Sequence, residues 1–237
     1  ALMPIRGLYL EPFSGIAGDM FAAAALDCGA DLKALEAALG TLPISGWRLD
    51  VHTVRRGALR GLKFDVIVRT AQGHEVRESH ARKDDHTHDH GHDHHHGHSH
   101  EHEHGPDQAH DHGHAHGKSF REITAIIAAS GLKETVKARA QQIFATLAAA
   151  EARVHGIALE EVHFHEVGAI DSIVDACAAA IVVDLLGVDE VTSGPIATGQ
   201  GVARMAHGHM PLPAPAAAEI LIGMPQPRPG PAGRRTS

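Results

Sequence analysis

The sequence predicts an α/β protein with a small mixed sheet, helices packed against it and a histidine-rich insertion. Short stretches in which apolar and polar residues alternate indicate strands, and longer apolar-periodic stretches between them indicate helices. Of the 237 residues, 43% are apolar and only 3% aromatic, so the core is expected to be aliphatic. Between residues 86 and 116, fifteen of 31 residues are histidine and no apolar period persists, which indicates a flexible low-complexity segment.

The chain opens with patterns typical of a strand, a glycine-containing turn and a helix. The strand is predicted at residues 8–13 and the helix at 20–28. Glycines beyond a strand let backbone amides at a helix start face an anion, so the segment 14–19 is a candidate anion cradle. A tight turn capped by Ser14 or Asp19 explains the same spacing.

A second helix and a strand pair follow. Asp31 is predicted to cap the helix, which ends at Gly40. Alternating residues at 47–55 and 64–68 predict two antiparallel strands. His52 stands alone on the first of them and is interpreted as a solvated strand residue rather than a metal ligand.

The second half contributes further helices and extended segments around a central motif. They are a helix at 123–129 opened by a capping box of Ser119 and Glu122, a helix at 134–154, a strand at 191–196, a proline-stiffened extended segment at 207–215 and a helix at 216–222. The predicted organisation is therefore an α/β domain built from residues 1–79 and 118–223, interrupted by the insertion at 80–117 and followed by a disordered tail at 224–237.

The central motif, residues 162–175, gathers imidazoles and carboxylates at one junction. Alternation before Gly168 predicts a strand with His163 and His165 on one face, and the apolar run after it predicts a helix. Asp171 and Asp175 lie one helical turn apart. Asp171 fits a helix cap, whereas Asp175 sits in an apolar helix, where a carboxylate needs a cation or hydrogen-bond donors. The cluster predicts a metal or acid–base site.

Histidine-rich composition predicts metal binding by the insertion. Neutral imidazoles bind nickel, copper, zinc and cobalt ions, and a flexible chain can offer several coordination geometries. An inert solvated linker is the alternative. The candidate ligands of the insertion are His86, His88, His90, His92, His94, His96, His98, His100, His102 and His104, and those of the structured part are His163, His165, His207 and His209.

Composition also indicates which partners and which cellular location to expect. The formal net charge is −8 and there is no basic patch with interleaved aromatics, so no nucleic-acid partner is expected. No apolar run is long and uncharged enough to span a bilayer, so no membrane association is expected. Cys28 and Cys177 fall in predicted helices and are expected to be small buried hydrophobes, which suits a reducing cytoplasm.

Three segments of the chain resemble the hallmark segments of the LarC family. They are Pro12 to Met20 (PFSGIAGDM), Val162 to Asp175 (VHFHEVGAIDSIVD) and His207 to Ala216 (HGHMPLPAPA), with a histidine-rich insertion between the first two. Any one alone is weakly specific, whereas the three in this order are specific. The resemblance extends to about Gly223.

The resemblance implies a function. The family is described as a lyase-class nickel insertase, a CTP-dependent cyclometallase that places Ni²⁺ in pyridinium-3,5-bisthiocarboxylic acid mononucleotide. The product is the nickel-pincer nucleotide cofactor of lactate racemase and related enzymes, with nickel–sulfur bonds and one nickel–carbon bond. Mg²⁺ or Mn²⁺ assists, and CTP is cleaved to CMP and pyrophosphate.

The resemblance also suggests residue roles. A base is needed to take a proton from the pyridinium ring, and Glu166, His165 or Asp171 would serve. Asp19 and Asp175 complete the group of candidate catalytic residues.

The resemblance also suggests that nickel is carried by His163, His165, His207 and His209. The substrate phosphate would rest on the amides of Ser14, Gly15 and Gly18. Asp19, His165, Asp171 and His207 are therefore predicted to lie close together.

The pattern departs from the family beyond residue 224, where full-length members continue with a second domain associated with CTP. A nickel-handling component that works with a separately encoded C-terminal product is therefore the expectation, and a nickel-dependent racemase apoprotein is a further expected partner. A non-catalytic nickel store or metallochaperone acting through the histidine tract is the main alternative. A metal-dependent hydrolase using His163, His165 and Asp171 fits the spacing but not the other two segments.

Overall fold

The computed structural model describes residues 5–70, 73–77, 117–164, 169–205 and 208–225. All of them belong to one compact unit. In chain order the elements are β1 (Gly7–Leu10), α1 (Gly18–Asp27), α2 (Leu32–Leu39), β2 (Trp47–Arg56), β3 (Leu59–Arg69), β4 (Glu75–Arg77), α3 (Phe120–Ala129), α4 (Glu134–His155), α5 (Ile170–Leu185), β5 (Glu190–Ser193), β6 (Val202–Met205), β7 (Gly208–Pro211) and α6 (Pro215–Ile220). The predicted α/β class is confirmed, while the histidine tract and the tail from residue 226 lie outside the described residues.

The described strands form three small sheets rather than one. β1 and β5 pair in parallel, with Leu8 beside Val191. β2, β3 and β4 form an antiparallel sheet in that order, and β6 pairs antiparallel with β7. Parallel and antiparallel pairing therefore both occur, as predicted, but in separate sheets.

Local capping explains where several helices begin. The Asp31 side chain accepts a hydrogen bond from the Ala34 amide, as predicted for the start of α2. Ser119 and Glu122 form the predicted capping box at the start of α3, with both reciprocal hydrogen bonds present. The prediction of a Ser14 or Asp19 cap on α1 is wrong, because Ala17 is the N-cap and no side chain caps it.

The apolar helix α5 lies at the centre of the core. It packs against α1, α2, α4 and β3. Its buried residues are aliphatic and small: Ile173, Val174, Cys177, Ala178, Ala180, Ile181, Val182 and Val183. Small side chains let neighbouring helices approach closely, and Phe64 and Phe144 fill the remaining volume. The carboxylates near the start of α5 are therefore held on a rigid element.

Of the strand predicted before Gly168, the described residues 162–164 make a single bridge rather than a strand, and residues 165–168 lie outside the described residues. A 3-10 turn at Leu159–Glu161 precedes residues 162–164, and His163 makes only one isolated bridge, to Ser119. The predicted alternation nevertheless holds, since Val162 and Phe164 are buried and His163 is exposed. The apolar pattern predicted the buried and exposed faces correctly. A strand also needs a continuous neighbour, and among the described residues the backbone bonds of this segment to a neighbouring stretch go to Lys118 and Phe120.

Two expectations about the helices have different outcomes. Cys177 is fully buried, as predicted, but Cys28 is exposed because it lies at the C-terminal cap of α1. No helix in the described part of the chain is both long and apolar enough to cross a lipid bilayer.

Candidate functional site

The carboxyl ends of the parallel strands β1 and β5 lead into two loops that contact each other. The Gly194 amide donates to the Leu10 carbonyl at 2.9 Å, and the Ala197 amide donates to the Pro12 carbonyl at 3.2 Å. Gly15 has a φ of +88°, and a Cβ there would lie 3.3 Å from the Ala197 carbonyl oxygen. The loop preceding α1 is thus fixed at the edge of a parallel sheet where α/β proteins commonly bind ligands.

Gly18 brings the first turn of α1 against the first turns of α5. A Cβ built on Gly18 would lie 2.9 Å from the Cβ of Asp175, closer than real Cβ contacts come. Only glycine permits this approach. The sequence predicts that Gly18 belongs to an anion cradle, and its contact with Asp175 adds a packing reason for glycine at this position.

The close approach assembles three carboxylates, Asp19 on α1 with Asp171 and Asp175 on α5, which we call the acidic cluster. Asp171 is only 5% exposed. Burial raises the pKa of Asp175 to about 7, and the negative charges of Asp19, Asp171 and then Asp65 on β3 add to the rise. Each of these groups therefore stands near enough to Asp175 to disfavour its ionised form.

Two oxygens of the acidic cluster are left without hydrogen-bond donors by the described residues. They are Oδ1 of Asp171 and Oδ1 of Asp175, both buried. The predicted alternative, that Asp171 merely caps the helix, is wrong, because Ala169 is the N-cap and Asp171 lies within the first turn. Buried carboxylate oxygens need a cation or a proton. Among the described residues, the three carboxylates of the acidic cluster do not bring one ligand atom each to within 4.8 Å of one another, so a proton shared with Asp175 satisfies the site as it stands.

The predicted convergence of Asp19, His165, Asp171 and His207 stays a prediction, because His165 and His207 lie outside the described residues. The charges of Asp19 and Asp171 both raise the pKa of Asp175. Glu166, like His165 and His207, lies outside the described residues. The histidines of the tract, from His86 to His104, lie outside them as well.

His163 faces a different neighbourhood from the acidic cluster. Hydrogen bonds from Ser119 lower the pKa of Glu122, and His163 makes a smaller contribution in the same direction, which places His163 near the start of α3. His209 is exposed on β7, opposite Arg204. Within the described ranges, neither histidine joins a group of three side chains able to hold a metal ion.

The loop proposed to cradle a phosphate has mixed features. Ser14 is exposed and Gly15 and Gly18 lie at the start of α1, where helix amides favour anions. One of those amides, of Met20, already donates to Asp19 Oδ1 at 2.7 Å. The nearby carboxylates oppose a bare anion, so a phosphate bound here would need a cation or a protonated carboxyl beside it.

A second polar group was missed by the sequence analysis, on the antiparallel pair β2–β3. Asp50, His52 and Asp65 bring one ligand atom each to within 4.8 Å of one another. The signal available in the sequence was the two-residue spacing of Asp50 and His52 on one strand face. Asp65 joins them only through the strand register, which the sequence did not reveal.

Comparison with known proteins assigns the family. The sequence profile of a family described as "Nickel insertion protein" matches residues 8–236. Proteins named pyridinium-3,5-bisthiocarboxylic acid mononucleotide nickel insertion protein are similar to this chain in Lactiplantibacillus plantarum (41% identical over 207 residues), Geobacillus kaustophilus (40% over 204) and Akkermansia muciniphila (40% over 208).

These alignments cover 86–87% of this chain but only 42–44% of each relative, so the chain spans less than half the length of the curated relatives it matches. No solved structure matches the chain. The profile match over nearly the whole sequence and the relatives at about 40% identity place the chain in the nickel insertion protein family.

Proposed function

We propose that this chain is the nickel-handling component of an enzyme that inserts nickel into pyridinium-3,5-bisthiocarboxylic acid mononucleotide. The observation that carries the proposal is the acidic cluster, in which α1 and α5 hold Asp19, Asp171 and Asp175 together with two buried carboxylate oxygens that lack donors among the described residues. The relatives' names supply the substrate and the metal. Nickel is the cargo of this reaction rather than a resident cofactor.

Asp175 is the base proposed for the ring proton. Forming a nickel–carbon bond requires that a carbon–hydrogen bond of the pyridinium ring break and its proton go to a base. Without a bound cation the pKa of this carboxyl is about 7, and its burial, the largest cause of the rise, persists when a cation binds nearby, which suits the group to accept and then release a proton. His165, Glu166 and Asp171 were the bases suggested by the family resemblance, and Asp175 joins them on the strength of its environment.

Asp19 and Asp171 are proposed to hold a divalent cation. Carboxylate oxygens suit Mg²⁺ or Mn²⁺, and a cation there would offset the negative charge around Asp175. Such a cation, when bound, would draw the phosphate of the substrate toward the amides of Ser14, Gly15 and Gly18. The family resemblance implies CTP as the co-substrate. The same resemblance is the basis for proposing that the enzyme is a lyase.

The histidines are proposed to deliver nickel. Imidazole nitrogens bind nickel well and are displaced by sulfur donors such as the thiocarboxylates of the substrate, so a histidine relay can both gather and release the ion. His163, His165, His207 and His209 are the proposed carriers near the junction, and the tract from His86 to His116 gathers metal. Partners beyond the substrate, namely a separately encoded C-terminal product and a racemase apoprotein, remain proposals.

A nickel store or metallochaperone is the second candidate, favoured by fifteen histidines within residues 86–116. The two functions make different demands on the acidic cluster. A store needs only the tract, whereas an insertase needs carboxylates that move a proton.

The test is an insertion assay reconstituted with the C-terminal half of a relative, in which the nickel-containing nucleotide is quantified by mass spectrometry. Asp175→Asn should lower the insertion rate by about 10²–10⁴-fold, the usual contribution of a general base. Asp184→Asn, on the same helix and paired with Lys133, is the matched control.

Loss of residues 86–116 should slow insertion at limiting nickel and leave it unchanged at saturating nickel. If Asp175→Asn inserts nickel at the wild-type rate, Asp175 is not the base. Nickel binding without any insertion by the wild-type assembly would favour the store.

A further inference from the structure

We propose that Asp50, His52 and Asp65 form a second metal site, one that takes a divalent transition-metal ion through one imidazole nitrogen and two carboxylate oxygens. Their ligand atoms all lie within 4.8 Å of one another. Two ligands about 2.1 Å from the same tetrahedral ion lie about 3.4 Å apart, so the most distant pair would have to close by up to about 1.4 Å to complete the coordination. Side-chain rotation alone can supply such movements.

The strand register creates this arrangement. Asp50 on β2 lies directly opposite Asp65 on β3, and His52, two residues further along β2, lies on the same face. Like charges opposite each other destabilise a sheet, and a cation between them removes that cost. Asp65 is 7% exposed and its charge is paired with Lys63, so a bound metal ion would take over the role of that ammonium.

A metal ion at this site would have to displace a basic group that already contacts one of the three ligands. Lys63, opposite His52, bonds Oδ1 of Asp65, and the ammonium tip can be displaced because it ends a flexible side chain. The negative charge of Asp50 also helps to raise the pKa of Arg48, but the Arg48 guanidinium makes its two hydrogen bonds to Glu75. The Nδ1 atom of His52 lies 3.5 Å from Oδ1 of Asp50. One ammonium is therefore the main competitor for the site.

The ligand set points to an exchange site rather than a structural one. One nitrogen and two oxygens suit Mn²⁺, Co²⁺, Ni²⁺ or Zn²⁺, and three protein ligands leave coordination positions open. Asp50 and His52 are only partly buried, so an ion can enter from solvent. The charge of Asp65 also contributes to the raised pKa of Asp175, so the two groups of residues are electrostatically coupled. A role in passing nickel to the acidic cluster rests on the proposed function. The existence of the metal site does not depend on that function.

The test measures Mn²⁺ binding to the full chain by electron paramagnetic resonance, without substrate. Mn²⁺ prefers oxygen-rich sites, so the histidine tract competes poorly for it. The ion at this site should be marked by electron spin echo modulation from a directly bound nitrogen, which an Mn²⁺ ion on the carboxylates of the acidic cluster would not show. His52→Ala should remove that modulation, and Asp50→Asn should weaken the binding of the nitrogen-coupled ion at least tenfold while keeping its nitrogen signal.

His74→Ala, which removes an exposed histidine outside the three-residue group, is the control and should match the wild type. Circular dichroism of each variant checks that the fold is retained, and Asp65 is left intact because it is buried. A nitrogen signal that persists in His52→Ala, or equal affinity for the nitrogen-coupled ion in Asp50→Asn and His74→Ala, would overturn the site. If Mn²⁺ does not bind at these three residues but the reconstituted enzyme still inserts nickel, the metal site is wrong and the proposed function stands. If Mn²⁺ binds here but the reconstituted enzyme inserts no nickel, the proposed function is wrong and the metal site stands.

Discussion

Replacing Asp175 with asparagine should stabilise the metal-free protein above neutral pH while removing its proposed chemistry. Burial and the neighbouring carboxylates raise the Asp175 pKa from 3.8 to about 7 in the folded protein. Between these values the folded state holds the proton and the unfolded state does not, so raising the pH through this window destabilises the fold. Below pH 4 the two states are protonated alike and the effect vanishes.

The size of the effect follows from the shift. A difference of about 3 pH units corresponds to about 4 kcal/mol of unfolding free energy at pH 8, an upper figure because the site can relax. Asparagine has a similar shape and no charge, and its amide can donate to the adjacent carboxylates at Asp19 and Asp171. Between pH 5 and pH 8, the stability advantage of Asp175→Asn over the wild type should therefore grow by about 3 kcal/mol.

Urea denaturation in EDTA across that pH range measures the advantage. Titration of the histidine tract is common to both proteins and cancels in the difference. Asp184→Asn serves as the control, since it lies near the other end of α5 and pairs with Lys133. An advantage that does not change with pH, or a variant that is less stable at every pH, would show that Asp175 is an ordinary structural residue and refute the reasoning.

Three further predictions concern packing. Gly18→Ala should destabilise the protein by about 1–3 kcal/mol by urea denaturation, because the added methyl overlaps α5, whereas Gly7→Ala, which meets no atom within 4 Å, should not. Phe164→Ala should cost about 3–5 kcal/mol, since its 2% exposed ring sits in the core; a loss below 1 kcal/mol would contradict that packing. A thiol reagent should label Cys28 alone in the native protein, because burial raises the Cys177 pKa to about 12, and native labelling of both would refute this.

Local signals in the sequence were sufficient for most elements. Asp31 and the pair Ser119 and Glu122 mark helix starts because their side chains satisfy amides only a few residues away. Apolar periodicity placed α4 and α5 because one or more faces of each must be buried. The segment at Val162 shows the limit, since alternation gave the correct faces but could not show that a pairing strand was missing.

Contacts between distant parts of the chain were set by tertiary structure alone. The sequence placed Asp171 and Asp175 on one helix face, and only the packing of α1 on α5 through Gly18 added Asp19 and raised the pKa of Asp175. Likewise, the sequence put Asp50 and His52 on one strand face, and the strand register brought Asp65 to them. Residue types and local spacing therefore predicted a metal or acid–base site. Which carboxylates share a site depends on interactions across long stretches of chain, which local pattern does not encode.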